Sequence, residues 1–288
     1  MGITQWLLKK VGNYLTKEVD AEERAYLSDF DRICHEVIPG DVLLVEGANR
    51  ISRIIKRVTH SPWTHAALYI GRLHSIEDPE LRQLLRKHYH GPAGKQLLVE
   101  SIIGQGTIVR PITEYSGYHL RICRPTGLSH SDAQRVIGFA IKRLGRKYNT
   151  RHFFDLGRFV LASRLLPRRW MSSLFEEKNP SQTTQDICSA MIAEAFTSIK
   201  FPVLPLIRET DENKLEMIHR NPRLFTPSDF DYSPYFAIIK YPIYPLPGHA
   251  PYHDLPWHEG LFSDDEGILH EHKKPTSDKK KPERKPGE

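Results

Sequence analysis

Apolar and polar positions along the chain follow two rhythms. Short apolar runs bounded by Gly, Pro or polar clusters read as strands: "PGDVLLVEG" (39–47) as a turn entering a strand, then "THAALYIG" (64–71), "QLLVESI" (96–102), "GTIVRPI" and "YHLRICRP". Helical spacing marks other stretches. "NRISRIIKRVTH" (49–60) sets Ile51, Ile54, Ile55 and Val58 on one face and Arg50, Arg53, Lys56 and Arg57 largely on the other, the pattern of a basic amphipathic helix. A helix is expected over 129–144, entered at Ser129 or Ser131 and stopped by Gly145. Another covers 187–199, with Ile187, Met191, Ile192, Ala195, Phe196 and Ile199 as its buried stripe and Asp186 as its N-cap. Trp6, Leu7, Val11, Tyr14 and Leu15 give a helix candidate near the start. Residues 74–95 read as a helical or irregular insertion, and "YFAIIKYPI" as a late strand.

This order, a strand, a basic helix, a run of strands and then helices, predicts an α+β fold with an antiparallel sheet packed against helices. Three segments are expected: an N-terminal helical extension (1–36), a main domain (37–245) with an insertion over about 151–180, and a Pro- and Lys-rich charged tail (246–288). The tail composition is too poor in apolar surface to offset ordering entropy, so disorder is expected there.

Composition narrows the class. The 288 residues are 39% hydrophobic and 26% charged, an ordinary globular balance. No run reaches the roughly 18 apolar residues of a membrane span. "MGITQWLLKKVGNYL" places its lysines after a short apolar patch, unlike a secretory signal, and Trp6 breaks the myristoylation pattern that Gly2 begins. A cytoplasmic protein is expected. Net charge is +6; the tail from Leu246 carries nine acids against seven bases, which leaves residues 1–245 at +8. Cys34, Cys123 and Cys188 are widely spaced, with no C-x-x-C pair, which fits neither a zinc site nor a disulfide framework.

Candidate chemistry gathers around one of these cysteines. Cys188 falls in the first turn of the 187–199 helix, where free N–H groups and the helix dipole favour an anion and so lower a thiol pKa. Taken alone, it reads more readily as a buried small residue. His65 sits inside an apolar strand beside Ala66 and Ala67, where small neighbours leave room for another element; an imidazole there suits a general base, or a core histidine bonded to backbone. Glu100 ends the apolar run Leu97, Leu98, Val99 and could orient His65 through the ring nitrogen the thiol does not use; His119 competes for that role.

Together, "PGDVLLVEG", "THAALYIG", "LLVES…GTIVRPITEY", "YHLRICRP", "GRKYNTRHFFD" and "ICSAMIAEAF", in that order, resemble the circularly permuted NlpC-type papain-like cysteine hydrolases, the YiiX-like group, distantly related to lecithin:retinol acyltransferase-like enzymes. The resemblance spans roughly residues 37–200, and "TPSDFDYSPYFAIIKY" (226–241) resembles the group's segment after the cysteine helix. It implies a permuted papain-like fold with Cys188 as nucleophile at a helix N-terminus, His65 as base and Glu100 as third residue. Tyr148 matches a family tyrosine near the cleft, although Asn149 stands where the family usually has aspartate. Trp63 and Ser189, neighbours of the histidine and the cysteine, join Tyr148 as substrate-binding candidates. The implied reaction is cleavage of an amide or ester bond through a thioester, with lipid acyl hydrolysis or acyl transfer at a membrane surface as the alternative, and a non-catalytic binding module as the second.

The substrate expected is peptide-like or lipid-like, and no cofactor is called for. "RFVLASRLLPRRWMSSLF", within the insertion, mixes arginines with large apolar residues, a composition suited to peripheral contact with an anionic membrane or to a helix pair with a solvated basic edge. Nucleic acid is not an expected partner: the basic helix comes without helix-turn-helix, zinc-finger or RNP-like signatures. Nor do His88, His90, His249, His253 and His258 have the spacing of a metal site.

Overall fold

The computed structural model describes residues 27–47, 49–102, 105–146, 188–210 and 214–243, with 255, 257–258, 261–263 and 269–271 beyond them. The N-terminal helix candidate, the 151–180 insertion, Asp186, Ile187 and Tyr148 lie outside the described residues, as do the side chains of Arg50, Ile51, Ile54 and Val58.

Helix α1 (Phe30–Glu36) is capped by Asp29, whose carboxylate accepts from the Arg32 N–H. A turn at Pro39 and Gly40 (φ +100°, a conformation open to glycine) then feeds β1 (Val42–Glu46). Basic helix α2 (Arg50–Thr59), capped by Asn49, follows and leads to β2 (His65–Gly71). The 74–95 region resolves into a 3-10 turn (Leu73–Ser75) and α3 (Pro79–His88), with Asp78 as cap and Pro79 at the first helical position. Strands β3 (Leu97–Ile102), β4 (Gly106–Pro111) and β5 (His119–Pro125) precede α4 (His130–Ile141) and α5 (Ser189–Thr197). A hairpin of β6 (Leu206–Glu209) and β7 (Leu215–Ile218), helix α6 (Pro227–Tyr232) and strand β8 (Phe236–Ile239) complete this unit.

One six-stranded sheet has the order β4-β3-β2-β1-β5-β8, with every neighbour antiparallel. The fold is thus α+β, as the pattern predicts. Side chains alternate between two covered faces. One face, with Val42, Leu44, Ala66, Leu68, Leu97 and Val99, packs under α4 and α5; the other, with Leu43, Val45, Ala67, Tyr69 and Leu98, packs on Ile33 and Val37. Burial on both sides explains why these strands read as continuous apolar runs rather than alternating ones.

Three expectations change. Residues 27–36, expected in an N-terminal extension, are part of the body of this unit, because Ile33 is buried against the sheet. The stretch after Lys200 holds the β6–β7 hairpin, whose Leu206, Ile207, Leu215 and Met217 are exposed; its four-residue strands are too short to give a strand signal. In the tail, expected to be disordered, the described residues include a short antiparallel pair, β9 (Leu261–Ser263) with β10 (Leu269–Glu271).

Candidate active site

The site lies at the start of β2. Register places His65 opposite Val45 of β1, while pairing with β3 begins only at Leu68 and Val99. The Tyr69 N–H donates to the Asp41 carbonyl on the β1 side. Strand alternation therefore turns the Ala66 N–H to the other side, where no β3 residue pairs with it in the ladder. Cys188 lies on that side, where the His65 imidazole and the backbone of Ala66 and Ser189 all favour its thiolate.

Helix α5 carries the cysteine to this point. Ala190, Met191, Ile192, Ala193, Ala195 and Phe196 are all buried, so the helix is apolar nearly all round and sits in the core. The Phe196 ring packs edge-on to Phe236 and tilted against Phe201. At its start, the Ser189 hydroxyl donates to the Phe225 carbonyl at 2.5 Å, and Arg143 pairs with Glu194 at 2.5 Å. Cys188 itself occupies the N-cap position, only 8% exposed.

Glu100 reaches His65 from β3, and its carboxylate is fully buried. Its Oε2 is hydrogen-bonded to His65 Nε2, which leaves the other ring nitrogen for the thiol. The same Oε2 accepts a hydrogen bond from the Tyr115 hydroxyl. Oε1 makes no hydrogen bond of good geometry, but Arg110 Nε lies 3.3 Å away as an ion pair. Glu100 pairs with Ile108 of β4, so Arg110, two residues on, is a diagonal neighbour on the same face.

Electrostatics follow from this packing. Burial works against the imidazolium of His65, yet the Glu100 carboxylate and Cys188 outweigh it and lift the pKa to about 10. Burial pushes the Cys188 thiol up; the His65 charge, its hydrogen bond and the backbone of Ala66 and Ser189 more than reverse this, and the net direction is down. Glu100 is likewise held below the ordinary carboxylate value, because His65, Tyr115 and Arg110 overcome its burial. The favoured state is a thiolate–imidazolium pair backed by a carboxylate. By contrast, burial together with Asp31 raises Cys34 to about 11, and burial raises Cys123 further.

Of the expected site residues, the structure brings Cys188, His65 and Glu100 together. His119 is elsewhere: its Nδ1 is 2.8 Å from the Ser28 hydroxyl, and its ring stacks on Trp63. Trp63 and Ser189, expected at the substrate, are buried. The Trp63 indole donates to Asp231 and lies under the Arg121 guanidinium, so the fold uses it. Tyr115 and Arg110 were missed. Tyr115 comes from a 3-10 turn (Ile112–Tyr115) in which Ile112 and Tyr115, three apart, are buried while Thr113 and Glu114 are exposed. The i, i+3 pair in "PITEY" was the available signal, but only the turn's position beside β3 shows what the hydroxyl meets. Among the described residues there is no group of three or more His, Cys, Asp or Glu able to hold a metal, and no helix long and apolar enough to cross a membrane.

No curated protein matches the chain. Among solved structures, it is similar to the crystal structure of the metalloprotein YiiX from Escherichia coli O157:H7, at 13% identity and a TM-score of 0.41, over 70% of this chain and 96% of that one. The family model described as permuted papain-like amidase enzyme, YaeF/YiiX, C92 family, matches residues 36–158, a stretch that includes His65 and Glu100 and ends before Cys188. The antiparallel sheet with its covering helices is an α+β fold, and within it residues 36–158 are similar to the permuted papain-like amidases of the YaeF/YiiX family.

Proposed function

We propose that the protein is a cysteine amidase that cleaves an amide or ester bond of a peptide-like acyl substrate. The observation that carries this reading is the hydrogen-bonded series Cys188, His65, Glu100 at a helix start. The Cys188 thiolate attacks the carbonyl carbon, and a carbon–sulfur bond forms as the carbonyl oxygen takes the negative charge. Backbone N–H groups at the start of α5 stabilise that oxygen, a contribution on the order of 3 kcal/mol per donor in comparable sites. The carbon–nitrogen or carbon–oxygen bond then breaks, and the leaving group takes the proton from His65. Water attacks the thioester, giving its proton to His65; the carbon–sulfur bond breaks, the acid departs and the thiolate–imidazolium pair is restored. Glu100 holds the imidazole in place and balances its charge throughout.

The test is intact mass spectrometry after incubation with cell lysate. An acyl adduct on the wild type and none on Cys188→Ala is the expected result, and the adduct mass gives the transferred group. Following its decay in water and with added amines separates hydrolysis from acyl transfer. Amide turnover that survives in Cys188→Ala would sink the proposal.

A further inference from the structure

Glu100 presents its carboxylate lopsidedly. Oε2 takes both the His65 imidazole and the Tyr115 hydroxyl, while buried Oε1 has only the off-axis Arg110 guanidinium. A fully buried carboxylate stays ionised only if its lone pairs are met, since an unpaired buried charge costs several kcal/mol. His65 cannot meet that need alone, because its proton moves during the reaction. Tyr115 can: burial and the neighbouring carboxylate keep its phenol well above the ordinary value, so it remains a donor at every working pH. Its ring also lies alongside the imidazole, with centroids 6.2 Å apart at 29°, and Tyr118 meets its edge at 5.6 Å. Arg110, in turn, is tied to Glu114 at 3.0 Å. The charged and titratable groups facing Glu100 are thus His65 from β2, Arg110 from β4 and Tyr115 from the 3-10 turn, with Cys188 beyond the imidazole.

We propose that Tyr115 is a positioning residue of this site: its hydroxyl pins Glu100 Oε2 against His65 and, with Arg110, keeps the buried carboxylate ionised while the imidazole proton comes and goes. The assignment rests on the thiol reading given above. It also gives the buried Tyr115 hydroxyl a partner in a cluster that includes Ile33, Leu43, Leu98 and Ile112. Once Glu100 takes up a proton, the imidazolium loses its counter-charge; burial then returns the proton to sulfur and the thiolate disappears. The acid limit of thiol reactivity therefore tracks the ionisation of Glu100.

The test is the rate of Cys188 alkylation by iodoacetamide as a function of pH. Tyr115→Phe removes one donor and keeps the ring, so Glu100 becomes easier to protonate. The acid limb should move up by about one pH unit, the scale of one hydrogen bond to a charged group. In a Glu100→Gln background, Tyr115→Phe should add no further shift. A ring-fluorinated tyrosine at position 115, a stronger donor of nearly the same shape, should move the limb down and carries the test if Tyr115→Phe fails to fold. An unmoved limb in either folded variant, or an equal shift in the Glu100→Gln background, overturns the assignment. Because the readout is alkylation of the thiol and not turnover, the role of Tyr115 can fail while the amidase reading stands, and the converse.

Discussion

Consider His65→Ala and the rate at which iodoacetamide alkylates the protein at neutral pH. In the intact site, burial pushes the Cys188 thiol above its ordinary value of 9.0, and the His65 charge is the largest influence that brings it below. Without the imidazole, only the backbone of Ala66 and Ser189 opposes burial, and the thiol returns to 9.0 or higher. Two pH units below such a pKa, about 1% of the thiol is ionised, so the variant has up to about 100-fold less thiolate than a fully ionised site at pH 7. A thiolate of lower pKa is also a weaker nucleophile, with a Brønsted slope of about 0.4–0.5, which trims the expected rate ratio to roughly 10-fold. The measurement is clean because Cys34, raised to about 11, and Cys123, raised further, are silent at this pH. Intact mass against time gives the rate, and Cys188→Ala gives the background. The wild type should react at lower pH than the variant and keep its ion pair up to about pH 10, where His65 loses its proton. A His65→Ala protein alkylated at the wild-type rate at pH 7, or a wild type whose rate climbs only around pH 9, would refute the ion-pair argument.

Two further expectations concern stability. Phe196→Ala removes a fully buried ring from the helix that carries Cys188 and should cost about 3–5 kcal/mol in urea unfolding; a loss under about 1 kcal/mol would show that the packing of Phe196 on Phe201 and Phe236 does not hold α5. The His65–Glu100 pair should also give stability a pH signature. His65 is raised from 6.5 to about 10, so its contribution is complete below 6.5 and is lost as pH climbs to about 10. Glu100 is lowered from 4.5, so its contribution is present above 4.5 and is lost on acidification. The difference in melting temperature between wild type and Glu100→Gln should therefore be widest between those two ordinary values and narrow toward pH 10; a difference flat with pH would deny the pair an ionic role.

Much of this arrangement was legible before any coordinates. β1 to β5 sit where the apolar runs lie, and α4 begins at the Ser129 cap and turns off at Gly145 (φ +77°). Such features are local: a run, a cap, a left-handed glycine. Cys188, His65 and Glu100 could be named because each combines an unusual residue type with a marked local position. What the chain hid was tertiary. Tyr115 looks like any aromatic in a loop until β4 turns it back over Glu100. Trp63, close to His65 in "SPWTH", reads as a residue for the substrate, yet Asp231, distant by 168 positions, holds its indole. His119 stayed a competitor to Glu100 because sequence does not say which strand borders β2, and the sheet order places β5 beyond β1.

The order of the three side chains along the polypeptide also bears on synthesis. A ribosome releases β2 and β3, with their imidazole and carboxylate, long before the helix bearing sulfur. Nascent chains halted between β3 and that helix own the imidazole and the carboxylate but not the sulfur they serve. Sulfur joins its partners only when α5 seats, and that seat is itself built in part from the later Phe225, Phe230 and Phe236, so this centre assembles late.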